Sequence, residues 1–106
     1  MTNAGPKLSV VITAHNEEER LPACLEHVAF ADEIIVLCDK CTDKTEEIAK
    51  NAGAKTLTGS WIMEGERRNH ALAQVSGDWV LEVDADEHVS KELASEIRDV
   101  IATSQF

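Results

Sequence analysis

A chain of 106 residues, 43% of them apolar, has room for one folded domain, residues 1–106, around a single core. Its formal net charge of -10 excludes the basic face that nucleic-acid binding needs. No run approaches the ~18 consecutive apolar residues of a membrane helix. The N-terminal Met1 to Lys7 stretch lacks the apolar centre of a signal peptide, and Cys24, Cys38 and Cys41 are an odd number. A cytoplasmic protein with reduced thiols is the expectation.

In chain order, the first apolar pulse is Leu8 to Thr13, a short β-branched run that predicts a strand. Leu21, Leu25, Val28 and Ala29 follow at helical spacing. Glu33 to Leu37 predicts the second strand. Asp43 and Glu46 have the spacing of a capping box for a helix from about Thr45 to Ala52, stopped by Gly53. A weaker strand runs from Lys55 to Thr58, then a helix from Gly65 to Val75, ending at Ser76-Gly77. Asp78 to Val83 predicts the fourth strand. Leu93, Ile97, Val100 and Ile101 form a final helical stripe after Ser90 as N-cap. Alternation of strand and helix at this spacing implies right-handed crossovers. The expected fold class is α/β: a three-layer, Rossmann-like, doubly wound parallel sheet with helices on both faces.

Ligands of such sheets bind at the carboxyl ends of the strands, and polar residues concentrate in the loops there. In Val83-Asp84-Ala85-Asp86-Glu87 an apolar strand ends in three acids within four residues. Asp84 and Asp86, two apart, can share a divalent cation that relieves their repulsion. A solvated acidic turn before a helix N-terminus is the alternative. In Thr13-Ala14-His15-Asn16-Glu17-Glu18-Glu19-Arg20 the acids suit a helix dipole, with Asn16 as cap. No Gly-x-Gly-x-x-Gly marks a dinucleotide site there.

Cys38-Asp39-Lys40-Cys41 is a Cys-x-x-Cys. It fits a redox pair, or half of a zinc site completed by His15 or Cys24, or two ordinary loop thiols. Arg67 and Arg68, opening the third helix, can meet a diphosphate or pair with nearby acids. Trp61 and Trp79 suit a core or a pocket wall.

Taken together, these loops resemble family 2 glycosyltransferases. That family opens with Pro-x-Tyr-Asn-Glu-Glu, matched here by Thr13-Ala14-His15-Asn16-Glu17-Glu18. It continues with Ala-Asp-Glu-Ile, here Ala31-Asp32-Glu33-Ile34, and a Ser-Thr-Asp-Gly-Thr turn, here Cys41-Thr42-Asp43-Lys44-Thr45. An Arg-Asn helix, a Gly-Asp-Trp and an Asp-x-Asp turn follow, matched by Arg68-Asn69, Gly77-Asp78-Trp79 and Asp84-Ala85-Asp86.

The resemblance implies a truncated GT-A-type fold that binds a nucleoside-diphosphate sugar, a UDP-sugar above all, through Mg²⁺ or Mn²⁺. It implicates Thr13, Ala14, Glu17, Cys38 and Asp39 at the base, Arg68 near the diphosphate, Asp84 at the ribose and metal, and Asp86 as metal ligand. It further implies a glycan or lipid acceptor, as in lipopolysaccharide core synthesis, with peripheral membrane association of the whole enzyme. It implies that the acceptor half and its catalytic base lie outside these 106 residues, and that the strand edge so exposed favours a homodimer. A nucleotide-binding module without turnover and a Cys-x-x-Cys redox protein are the rival readings. Cys38 stands where the family has Asp, and Lys44 where it has Gly. The first bears on base recognition, the second on the backbone conformation of the loop.

Overall fold

The computed structural model describes residues 7–103. Its elements are β1 (Leu8–Ala14), α1 (Leu21–His27), β2 (Glu33–Asp39), α2 (Thr45–Asn51), β3 (Lys55–Gly59), α3 (Glu64–Leu72), β4 (Trp79–Asp84) and α4 (Lys91–Thr103). The strands form one sheet in the order β3-β2-β1-β4, and every pair is parallel. The chain steps outward from β1 to β3, then returns to lay β4 on the far side of β1. That reversal puts the switch point between β1 and β4, with Thr13 opposite Asp84.

Side-chain alternation divides the sheet into two cores. Leu8, Val10, Ile12, Ala14, Val36 and Cys38 pack on the face shared with α1, α2 and α4. Val11, Ile35 and Leu37 pack on the other face against Ala71 of α3. Right-handed crossovers account for the split: reversing the direction of travel between β3 and β4 sends α3 to the opposite side. The expected α/β, three-layer parallel fold is observed.

Local differences from the sequence reading have physical causes. At its carboxyl end each strand runs one or two residues further than predicted, because ladder pairing continues there (Ala14 opposite Cys38, Asp39 opposite Gly59), while β4 also begins one residue later, at Trp79. Ala29 is exposed, since α1 ends at His27 and the turn after it buries Val28 instead. The capping box does not form. Asp43 Oδ1 accepts the Thr45 amide at 2.9 Å while Glu46 pairs with Lys50 at 2.8 Å. Gly53 ends this segment at φ 86, in the left-handed region, as expected. Lys44 sits at φ -86, open to any residue, so the absent glycine costs nothing there. The α3 helix stops at Leu72, three residues early, although Val75 still packs on the second core. Ser90 Oγ does accept the Leu93 amide, at 3.0 Å. Ile101 is buried, but Leu93 and Val100 stay 45% and 53% exposed, because α4 overlies β4, an outer strand among the described residues.

At the amino ends of the strands, Glu33 ties three segments together. Its carboxylate accepts the Ser9 hydroxyl at 2.7 Å, the Ser76 amide and hydroxyl at 2.9 Å each, and Lys55 Nζ at 2.6 Å. Gly77 allows the approach, since a Cβ there would lie 2.5 Å from Ser9 Oγ. Burial pushes the Glu33 carboxyl up, but hydrogen bonds from Lys55, Ser76 and Ser9 outweigh it and bring it from 4.5 to about 2. A depressed carboxyl stabilises the fold above its unfolded value, and that stability is lost as pH falls from 4.5 toward about 2. Glu33→Gln should therefore cost about 2 kcal/mol near neutral pH. It should also flatten the acid-induced loss over that window, as read from urea denaturation midpoints at neutral and acidic pH.

Candidate functional site

Two loops at the carboxyl ends are clasped by side chains. After β1, Asn16 adopts φ 51, which asparagine tolerates better than most residues. Its Oδ1 accepts the Thr42 amide at 2.7 Å and the Asp43 amide at 3.2 Å. In return the Glu17 amide donates to Thr45 Oγ1 at 2.9 Å and the Glu18 amide to Asp43 Oδ2 at 3.2 Å. Burial raises the Asp43 carboxyl, but hydrogen bonds from the Thr45 hydroxyl and amide and the Glu18 amide hold it below the usual range. His15 Nδ1 donates to the Asp39 carbonyl at 2.8 Å. Asn16 is thus a strut between loops, not the expected helix cap, and α1 begins only at Leu21.

Strand alternation then sorts the expected site residues. Ala14 and Cys38 point into the core beneath α1, α2 and α4, away from the switch-point cavity. Asp39, continuing β2, faces the α3 side, 7% exposed. Its Oδ1 accepts the Trp61 amide at 3.3 Å and its Oδ2 accepts Arg67 at 3.0 Å. Extension of β2 through Asp39 puts the acid one position after Cys38 on the α3 side of the sheet, opposite in facing to Cys38.

The thiols are turned the other way. Burial, then Cys41, pushes Cys38 up to about 12. Burial, then Glu87 and Asp86, pushes Cys24 up to about 11. A working redox pair needs a depressed thiolate. Cys41 Sγ is occupied, donating to the Ala14 carbonyl at 3.5 Å and accepting the Asn16 amide at 3.4 Å. Among the described residues no three His, Cys, Asp or Glu side chains converge as a metal cage, so neither His15 nor Cys24 completes a zinc site.

At the end of β4 the Ala85 amide donates to the Thr13 carbonyl at 3.0 Å, and its side chain is buried. That anchor turns the flanking Asp84 and Asp86 outward into solvent. Glu87 Oε1 accepts the Asp84 amide at 2.7 Å, closing the turn. Arg20 bridges two acids, 3.7 Å from Glu17 and 3.8 Å from Asp86. Sequence reasoning did not single Arg20 out; the one signal for it is a lone cation following three acids.

Arg68 Nε pairs with Glu82 at 3.0 Å. A cavity of about 240 Å³ lies between β1, β4 and α3, lined by Thr13, Arg67, Arg68, Glu82, Asp84 and Glu87. No local motif signals the partner of Arg67, because Asp39 is 28 residues distant in sequence.

As a donor set, Asp84 and Asp86 offer two exposed hard oxygen ligands within one turn. Mg²⁺ and Mn²⁺ are met by one or two carboxylates, with phosphate oxygens and water completing the shell. The residues fit such a cation.

A family model described as glycosyl transferase family 2 matches residues 9–104. An uncharacterised glycosyltransferase of Rickettsia typhi is 38% identical over 98 residues, covering 92% of this chain and 34% of the relative. The chain therefore spans about a third of the length of that curated relative. Among solved structures, glucosyl-3-phosphoglycerate synthase of Mycobacterium tuberculosis is 28% identical with TM-score 0.77, covering 95% of this chain and 43% of that one. The same enzyme in complex with Mn²⁺, UDP-glucose and phosphoglyceric acid is 26% identical with TM-score 0.72, covering 93% of this chain and 40% of that one.

The clasp is testable by itself. Asn16→Gly keeps the left-handed backbone but removes the acceptor, and should cost about 1 kcal/mol. Asn16→Ala loses both and should cost about 2 kcal/mol, an ordering that thermal unfolding of the two variants checks.

Proposed function

Because the chain belongs to glycosyl transferase family 2, we propose that it is the donor-binding part of a glycosyltransferase and holds a UDP-sugar at the switch point. The observation that carries this reading is the pairing of Thr13 with Asp84 across the reversal of the sheet. Asp39 and Arg67 flank that point on one side, and Asp84 and Asp86 on the other.

Each residue has a role in this reading. The Asp39 carboxylate accepts a hydrogen bond from the base, with Thr13 and Glu17 in the adjoining loop. Ala14 and Cys38 act only through the backbone they support. Arg68 exchanges its exposed partner Glu82 for the diphosphate, at little cost because surface ion pairs are worth about 0–1 kcal/mol. Asp84 and Asp86 would hold Mg²⁺ or Mn²⁺, which when bound neutralises charge developing on the leaving nucleoside diphosphate. Arg20 releases Asp86 for that purpose and remains beside Glu17.

The residues that receive the acceptor are not assigned within this chain. A glycan or lipid acceptor, a place in lipopolysaccharide core synthesis, a cytoplasmic setting with peripheral membrane contact, and pairing of two copies along a sheet edge belong to the same proposal.

Calorimetric titration of UDP and UDP-glucose, with and without Mn²⁺, tests it on the wild type and Asp86→Ala. Binding should require the cation. The variant should bind roughly 100-fold more weakly, which corresponds to about 2.7 kcal/mol. Equal binding by both proteins, or none by the wild type, would sink the proposal.

A further inference from the structure

Resting on the donor-site reading above, we infer that Arg20 makes loading of the divalent cation depend on the nucleotide: its guanidinium holds Asp86 in the free chain and yields it when a diphosphate arrives with the cation.

Both ends of this contact are fixed by the fold. The amides of Arg20 and Leu21 donate to the Glu17 carbonyl at 3.1 and 2.8 Å, and the Leu21 side chain is fully buried. The Glu17 amide in turn donates to the hydroxyl of the buried Thr45. On the other side, Asp86 follows Ala85, whose amide is bonded to the Thr13 carbonyl and whose side chain is buried. The loops after β1 and β4 are therefore anchored on either side of the switch point. One guanidinium nitrogen, Nη1 of Arg20, spans them, 3.7 Å from Glu17 Oε1 and 3.8 Å from Asp86 Oδ2.

At those separations the contact is Coulombic and not a hydrogen bond. Arg20 and Asp86 are also 62% and 51% exposed, so water screens the pair. Such a pair competes with an incoming ion yet gives way to it. A cation arriving alone at Asp86 meets two penalties: the ion pair is lost, and an arginine that Glu17 keeps close repels it. Arg67 and Arg68 impose neither, since they face Asp39, Glu64 and Glu82. A nucleoside diphosphate changes the balance. Its phosphate oxygens complete the shell of the cation, and their negative charge offsets the repulsion from Arg20. Cation and nucleotide then favour each other's binding, and that coupling is reciprocal.

The test titrates Mn²⁺ into the whole chain, with and without saturating UDP, and follows the free ion by electron paramagnetic resonance. The proteins are wild type, Arg20→Gln, Arg20→Met, Arg20→Lys and Lys91→Gln, each checked for folding by circular dichroism. Without UDP, Arg20→Gln should bind Mn²⁺ about 3- to 5-fold more tightly than wild type, the size of one exposed ion pair. Arg20→Met, also neutral, should match it and serves if the glutamine variant misfolds. With UDP bound, the gain should fall below about 1.5-fold, so that UDP tightens Mn²⁺ less in these variants than in wild type. A merely structural defect would weaken the cation, not tighten it. Arg20→Lys keeps the charge, and Lys91→Gln removes an exposed charge from the start of α4; both should stay within about 1.5-fold of wild type. The inference is overturned if the neutral Arg20 variants bind Mn²⁺ no more tightly, if they gain equally with and without UDP, or if Lys91→Gln gains as much. Each of those outcomes leaves the donor site standing. Failure of the wild type to bind Mn²⁺ even with UDP would overturn both readings.

Discussion

Parallel pairing of β1 with β2 on one side and β4 on the other is the constraint on which the rest of this structure depends. Parallel neighbours bring the carboxyl ends of all the strands to one rim. The return from β3 to β4 opens that rim into a cleft at the centre of the sheet. Thr13 and Asp84, 71 positions apart in the chain, become register partners through it. The same pairing decides by parity which side chains reach the cleft. Thr13 and Asp39 turn toward α3, whereas Ala14 and Cys38 turn into the opposite core.

Charge in this acidic chain is organised around the rim. Arg20, Arg67 and Arg68 each face a carboxylate from a different loop or strand. The exposed pairs contribute little to stability, so a phosphate or a cation can replace one partner without unfolding the site. The half-buried Arg67–Asp39 pair differs, because removing either member strands a charge away from water. At the far end of the sheet Glu33 performs a purely architectural task, drawing β1, β3 and the segment before β4 together by hydrogen bonds. The buried Asp39 and the partly buried Glu33 thus hold opposite ends of the same strand, β2.

Much of this was legible in the order of residues. Short β-branched runs separated by helical stripes announce a parallel α/β sheet, because a strand covered on both faces must be apolar throughout. The acids after Val83 and the polar loop after Thr13 announced the rim, since strand ends carry ligands in such sheets. Capping was less legible. Asn16 and Asp43 read as local helix caps, yet both spend their side chains on another loop, a choice that depends on a neighbour 25 to 27 residues away.

What the sequence by itself determined was the alternation of elements, the family resemblance and the position of Asp84 and Asp86, because periodicity and short motifs are local properties of the chain. Only the tertiary structure decided that Asp39 turns to the α3 side and Cys38 into the opposite core, that Cys24 and Cys38 are buried and raised, and that Arg67 and Arg68 serve different neighbours. The physical reason is that strand register and helix rotation are settled by long-range packing: a shift of one residue turns a side chain to the opposite face, and no single segment contains the partner that selects between the two.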